Sequence, residues 1–168
     1  MKRIFALFAA LIVLLCIYGC KSNVIEINQP VRVFYCNADI EFQSEDGLIS
    51  SEIHEYYGWE EKPREFLNEY LSGPLSSDLI SPFPLGARIV DLEQSGQIID
   101  IQLNANFLRL SPSELTTACA CISMTILELF DAETVNIEVI SYGSENNMIT
   151  MSRSNLFLSD TGENSNGG

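Results

Sequence analysis

The chain is poor in the groups that carry acid–base and metal chemistry: its 168 residues include one histidine, His54, and one tryptophan, Trp59. His54 stands near Glu52 and Glu55 in a strand-like stretch, without thiols or further imidazoles at ligand spacing to complete a zinc site. It reads as a surface strand residue. A nucleophile elbow, a phosphate-binding loop and a dinucleotide fingerprint are also missing. Without a nucleophile beside a base, a carboxylate pair in a cleft or a metal set, the expectation is a protein that is not an enzyme and needs no cofactor. Positive charge is scarce as well. Nine lysines and arginines stand against 23 aspartates and glutamates, a net charge of −14, which disfavours nucleic acid and anionic lipid as partners.

Cysteine is present without a repeated spacing, so the chain is not a disulfide-built scaffold. Cys119 and Cys121 lie two apart on a predicted helix, which turns their side chains about 200° from one another. They can neither bridge nor chelate together, and read as small buried hydrophobes. A bridge from Cys36 to one of them stays open.

What the chain does have begins at its N-terminus. Lys2 and Arg3 precede an uncharged run from Ile4 to Tyr18, the layout of an export signal. As a helix that run covers about 22 Å, short of the ~30 Å hydrocarbon core, which favours a cleaved signal over an uncleaved anchor. Its end, Ile17-Tyr18-Gly19-Cys20, resembles the bacterial lipobox, with an aliphatic residue three before a lipid-accepting cysteine and a small one directly before it. Tyr18 is larger than that pattern usually allows. The expectation is a signal peptide over 1–19, a lipid-anchored tether over 20–30 with acylation on Cys20, a single domain over 31–158 and a disordered tail over 159–168. Without Lys2 and Arg3 the mature chain carries −16. Either form of anchor holds the domain on the extracytoplasmic face of a cell membrane.

Within the domain, Val31 to Tyr35 is rich in β-branched and aromatic residues and predicts a first strand. Ile40 to Phe42 and Leu48 to Tyr56 predict a hairpin about Ser44-Glu45-Asp46-Gly47, carrying Tyr56, Tyr57 and Trp59 among acids. Pro63 opens a short amphipathic helix that Gly73-Pro74 ends, and 75–86 reads as an ordered loop. Ala87 to Glu93 and Gln97 to Leu103 predict a second hairpin, whose register pairs Val90 and Leu92 with Ile101 and Ile99 and sets Asp91 opposite Asp100. Ser111-Pro112-Ser113-Glu114 is a capping box that starts the longest helix, with an apolar stripe running to Phe130. Val135 to Val139 alternates as a strand, and a last short strand falls near Met148 to Met151. The order predicts an α+β fold, two helices on one face of a mostly antiparallel sheet.

Leu71-Ser72-Gly73-Pro74, Pro84-Leu85-Gly86-Ala87-Arg88-Ile89 and Ile99 through Phe107, followed by the helix ending at Phe130 and by Val135 to Tyr142, resemble the GerM domain of sporulation and spore-germination proteins. The resemblance spans about Val31 to Leu158. It implies a βαββαβ core related to ring-building motifs, here with an N-terminal hairpin insertion, and it implies no catalytic residues. The family's sporulation protein resembles two tandem copies, whereas one copy is found here. Asn104 and Asn106 replace more acidic or hydroxyl-bearing positions of the motif.

The expected function is therefore a membrane-anchored interaction or assembly module in sporulation, germination or another envelope process, which associates with itself or with an envelope protein. The alternative is a cell-wall (peptidoglycan) or small-ligand binding module with Tyr56, Tyr57 and Trp59 as a stacking site. Asp91 and Asp100 complete the expected binding surface. No metal site is expected.

Overall fold

The computed structural model describes residues 29–38, 47–56, 58–140 and 148–156. Cys20 with the signal and tether up to residue 28, Tyr57, the Ile40 to Phe42 segment and the C-terminal tail all lie outside the described residues.

Strand β1 (Gln29–Asn37) pairs antiparallel with β2 (Ile49–Tyr56) over eight residues, from Gln29 against Tyr56 to Cys36 against Ile49. The strand β2, expected to pair with the 40–42 segment, thus takes β1 as its partner along its whole length. Helix α1 (Pro63–Tyr70) follows with proline in its first turn, and then a two-residue strand β3 (Leu79–Ile80) pairs with the end of β1. The expected loop over 75–86 therefore contains a short strand. Strands β4 (Ile89–Ser95) and β5 (Ile98–Leu103) form the second hairpin. A 3-10 turn (Ala105–Arg109) leads to helix α2 (Pro112–Phe130), then come β6 (Thr134–Val139), β7 (Met148–Ser152) and a single-turn helix α3 (Arg153–Leu156).

The α+β class and the mostly antiparallel pairing hold. The strands divide between two sheets, ordered β2-β1-β3 and β4-β5-β6-β7, and one pair, β5 with β6, runs parallel. A parallel pair needs a crossover, which the 3-10 turn and α2 supply.

The capping box forms as the sequence predicts: Glu114 N–H donates to Ser111 Oγ, and Ser111 N–H donates to Glu114 Oε2. Helix α2 is also long and apolar enough to cross a membrane by length and composition alone. Its packing against strands of both sheets accounts for that composition, because residues on opposite sides of the helix are buried, including Cys119 and Cys121. At its far end Asp131 takes φ +47°, and the Arg153 guanidinium donates to the carbonyls of Leu127 and Ala132, satisfying acceptors that a helix terminus leaves open.

Two tyrosines tie the first sheet to α1. Tyr35 and Tyr70 are both fully buried, their ring centroids 5.0 Å apart. At Phe34 between them, the backbone N–H donates to Thr125 Oγ1 of α2 and the carbonyl accepts from Tyr70 Oη.

Candidate functional site

The expected pairing of Asp91 with Asp100 does not form. The β4–β5 turn is two residues long, Ser95 faces Ile98, and the register places Asp100 opposite Glu93 and Asp91 opposite Gln102. Leu92 accordingly faces Ile101, while Ile99 faces Gln94. The cause is the position of the turn, at Gly96-Gln97, one residue further along than the predicted pairing requires; a bulge follows at the other end of the hairpin, between Ile89 and Asp91. Val90 is its extra residue and is left exposed, so the residues after it keep the alternation that a strict two-residue period would have reversed. The like charges that do face one another, Glu93 and Asp100, lie on an open sheet face, where solvent screens them. Asn136 Nδ2 donates to Asp100 Oδ1 and Gln102 Nε2 donates to Glu138 Oε2, so cross-strand amides neutralise part of the row. Asp91 and Asp100 still line one shallow depression of about 450 Å³ on this face, with Glu93 and Glu138. Among the described residues no group of three His, Cys, Asp or Glu side chains is arranged to hold a metal ion.

The expected stacking residues separate onto different partners. Tyr56 packs edge-on against Phe66 at 5.0 Å, and Trp59 packs edge-on against Phe130 at 6.0 Å. Trp59 also lines a depression of about 410 Å³ with Arg32, Ile53 and Glu128, where Arg32 and Glu128 approach to 3.8 Å. The indole Nε1 is buried without a hydrogen-bond partner.

His54 is not a surface residue. Its side chain is 14% exposed, faces inward from β2 with Glu52 and Tyr56, and its Nε2 lies 2.7 Å from Glu52 Oε1. Glu52, 12% exposed, also accepts from the backbone N–H groups of Leu75 and Ser76 at 2.8 and 2.9 Å. Burial works against its charge, yet the bonds from His54, Leu75 and Ser76 together hold the carboxyl below the usual carboxylate range. Glu52 is thus the clasp of the segment after α1. Alternation along β2 could have pointed it inward, but nothing local announces the two distant donors.

The motif segments of the sequence converge. Asn68 of α1 accepts from Ile89 N–H and donates to Ile89 carbonyl, while Arg64 donates to the carbonyl of Val90 at the bulge. Asn104 accepts from Arg88 N–H, and the side-chain amides of Asn104 and Asn106 both donate to the carbonyl of Gly86, at 2.9 and 2.7 Å. Gly86 takes φ +74°, and a Cβ there would lie 3.0 Å from Asn106 Nδ2, so the close approach needs glycine. Phe107 is buried beneath the loop. The loop so fixed carries Leu85 at its tip, 93% exposed, beside an open depression of about 680 Å³ lined by Leu71, Phe83 and Ala87 among others.

The arrangement defines a class by its architecture: an α+β domain whose two sheets share one central helix. The particular fold is that of the GerM domain. The chain is similar to the tandem GerMN domains of the sporulation protein GerM from Bacillus subtilis, with 18% identity and a TM-score of 0.50, covering 74% of this chain and 43% of that one. It thus spans less than half of the tandem protein's length. A candidate lipoprotein from Clostridium perfringens aligns at 16% identity and a TM-score of 0.42, over 75% of this chain and 89% of that one. No protein-family model and no curated protein sequence matches the chain.

Proposed function

We propose that the chain is a lipoprotein held at the outer face of a membrane through Cys20, whose GerM-like domain acts without catalysis as an assembly module. It associates with a second copy or with another envelope protein in sporulation, germination or a related envelope process. The observation that carries the reading is Leu85: 93% exposed, on a loop that Asn104, Asn106 and Gly86 hold in place. The leucine adjoins an open depression lined by Leu71, Phe83 and Ala87, and a preorganised loop loses little entropy on docking.

The test is Leu85→Asp, which leaves the core untouched. Sedimentation at high concentration and cross-linking in the native envelope should show association weakened roughly tenfold or more, with the melting temperature unchanged. Association equal to that of the wild type would remove the loop from the interface. The anchor is tested separately by fatty-acid labelling, which Cys20→Ala should abolish. One acyl chain binds a membrane only marginally, so more than one chain is expected on Cys20.

A second reading, a cell-wall or small-ligand binding module, is favoured by one feature, the depression bounded by Trp59, Arg32 and Glu128. Trp59→Ala should then release the protein from peptidoglycan in a pull-down. Unchanged retention, or none by the wild type, counts against it.

A further inference from the structure

Three buried cysteines are left unused by the docking reading, and two of them meet. Cys36 of β1 and Cys121 of α2 share a small buried cluster with Phe34, flanked by Ile49, Phe83 and Met124. The meeting follows from an adjacent bond. Phe34 N–H donates to Thr125 Oγ1 at 3.1 Å, which sets the helix against the strand. Two residues along β1 advance about 6.6 Å from Phe34 to Cys36, and four residues back along α2 move about 6 Å from Thr125 to Cys121. Both steps return to the same face of their element, so the next rung along this contact holds the two sulfurs.

We propose that Cys36 and Cys121 are a disulfide-forming pair, joining β1 to α2 when the domain meets a disulfide oxidant of the low-molecular-weight type. Cys36 has the access. It is 6% exposed and lines an open depression of about 360 Å³ with Leu48, Ser81 and Thr117, whereas Cys121 is fully buried. The Cys36 thiolate attacks one sulfur of the oxidant, whose S–S bond breaks and whose other half leaves as a thiolate. Cys121 then attacks the mixed disulfide at Cys36, forming the internal S–S bond and releasing the second half. Two protein thiols lose two protons and two electrons, and the oxidant is reduced to two thiols. The order agrees with acidity: the neighbouring Cys121 thiol lowers the Cys36 pKa, while the neighbouring Cys36, with burial, raises that of Cys121. Burial pushes the Cys119 pKa up to about 12 and keeps it a thiol.

Linking positions 36 and 121 closes a long loop, so oxidation should raise the melting temperature by constraining the unfolded chain. The pairing is a property of the fold and stands apart from the docking reading. The test uses the full chain in detergent, equilibrated across a series of reduced-to-oxidised glutathione ratios, trapped with N-ethylmaleimide and digested with trypsin. Peptide 33–64 should link to peptide 110–153, with fragmentation placing the bridge on Cys121, and alkylation of Cys36 should fall roughly tenfold or more across the series. Cys119→Ser should keep the link and the rise in melting temperature, and Cys121→Ser should lose both. The proposal is overturned if Cys36 stays fully alkylated at the most oxidising ratio while the chain remains folded by circular dichroism. It is equally overturned if fragmentation of the wild-type peptide places the bridge on Cys119.

Discussion

Tyr35 and Tyr70 each hold the other's stretch of backbone. The Tyr35 hydroxyl shares its proton between the carbonyls of Tyr70 and Gly73, at 2.8 and 3.0 Å, and the Tyr70 hydroxyl donates to the carbonyl of Phe34 at 2.7 Å. With the rings tilted 45° at 5.0 Å, β1 and the end of α1 are joined by a reciprocal pair rather than by packing alone. Tyr35→Phe and Tyr70→Phe each leave a carbonyl without its donor, at a cost of about 1–3 kcal/mol in urea unfolding. A double-mutant cycle should return a coupling above about 0.5 kcal/mol, and strict additivity would deny the reciprocity.

The same two phenols set an alkaline limit. Burial raises both pKa values above the ordinary 10.0, aided by the charge of Glu52 near Tyr35 and by Cys121 near Tyr70. A group whose folded pKa is raised keeps its full contribution below the unfolded pKa and loses it as pH climbs from there toward the folded value. Melting temperatures should hold up to about pH 10 and fall beyond it. The Tyr35→Phe/Tyr70→Phe chain should show a shallower alkaline decline from its lower starting point.

Glu52 gives the opposite limb. Its folded pKa lies below 4.5 despite burial, through His54, Leu75 and Ser76, so its contribution is complete above about pH 4.5 and drains away as pH falls through the folded value. Glu52→Gln should flatten the acid side of the stability profile. Glu52→Ala, which strips two backbone donors of their acceptor, should cost about 1 kcal/mol at neutral pH and speed hydrogen exchange at Leu75 and Ser76.

Asn68→Ala removes both bonds to Ile89 while leaving the apolar face of α1 intact. The expected loss is about 1–2 kcal/mol in chemical denaturation, with faster amide exchange at Ile89. Asn68→Asp should recover only part of that loss, because a carboxylate can accept from the N–H but cannot donate to the carbonyl.

Local chemistry made the helices readable. Pro63 and the Ser111–Glu114 box mark their starts where the structure has them, and the apolar stripe carries α2 to Phe130. The register of β4 with β5 was not readable, because alternation does not say which two residues make the turn, here Gly96-Gln97, and the bulge beyond Asp91 is a property of two strands that one-strand alternation cannot count. Inward-facing His54 escaped for a related reason: which face of β2 is covered depends on where α1 and the segment after it pack. Of the expected surface, Asp91 and Asp100 do reach one depression, while Tyr56 went to Phe66 of the next helix and Trp59 to Phe130, far along the chain. Leu85 sat inside the quoted motif, but its exposure depends on amides almost twenty residues away.

The side chains that meet the backbone at Phe34 and Ile89 also constrain how anything can attach. Thr125 and Tyr70 occupy the N–H and carbonyl of Phe34, and Asn68 occupies both groups of Ile89. A hydroxyl, a phenol and an amide stand where an incoming strand would have to lie, so β-strand addition is closed at these two positions. A partner there would have to bind the surface as it stands, and could not lengthen either sheet.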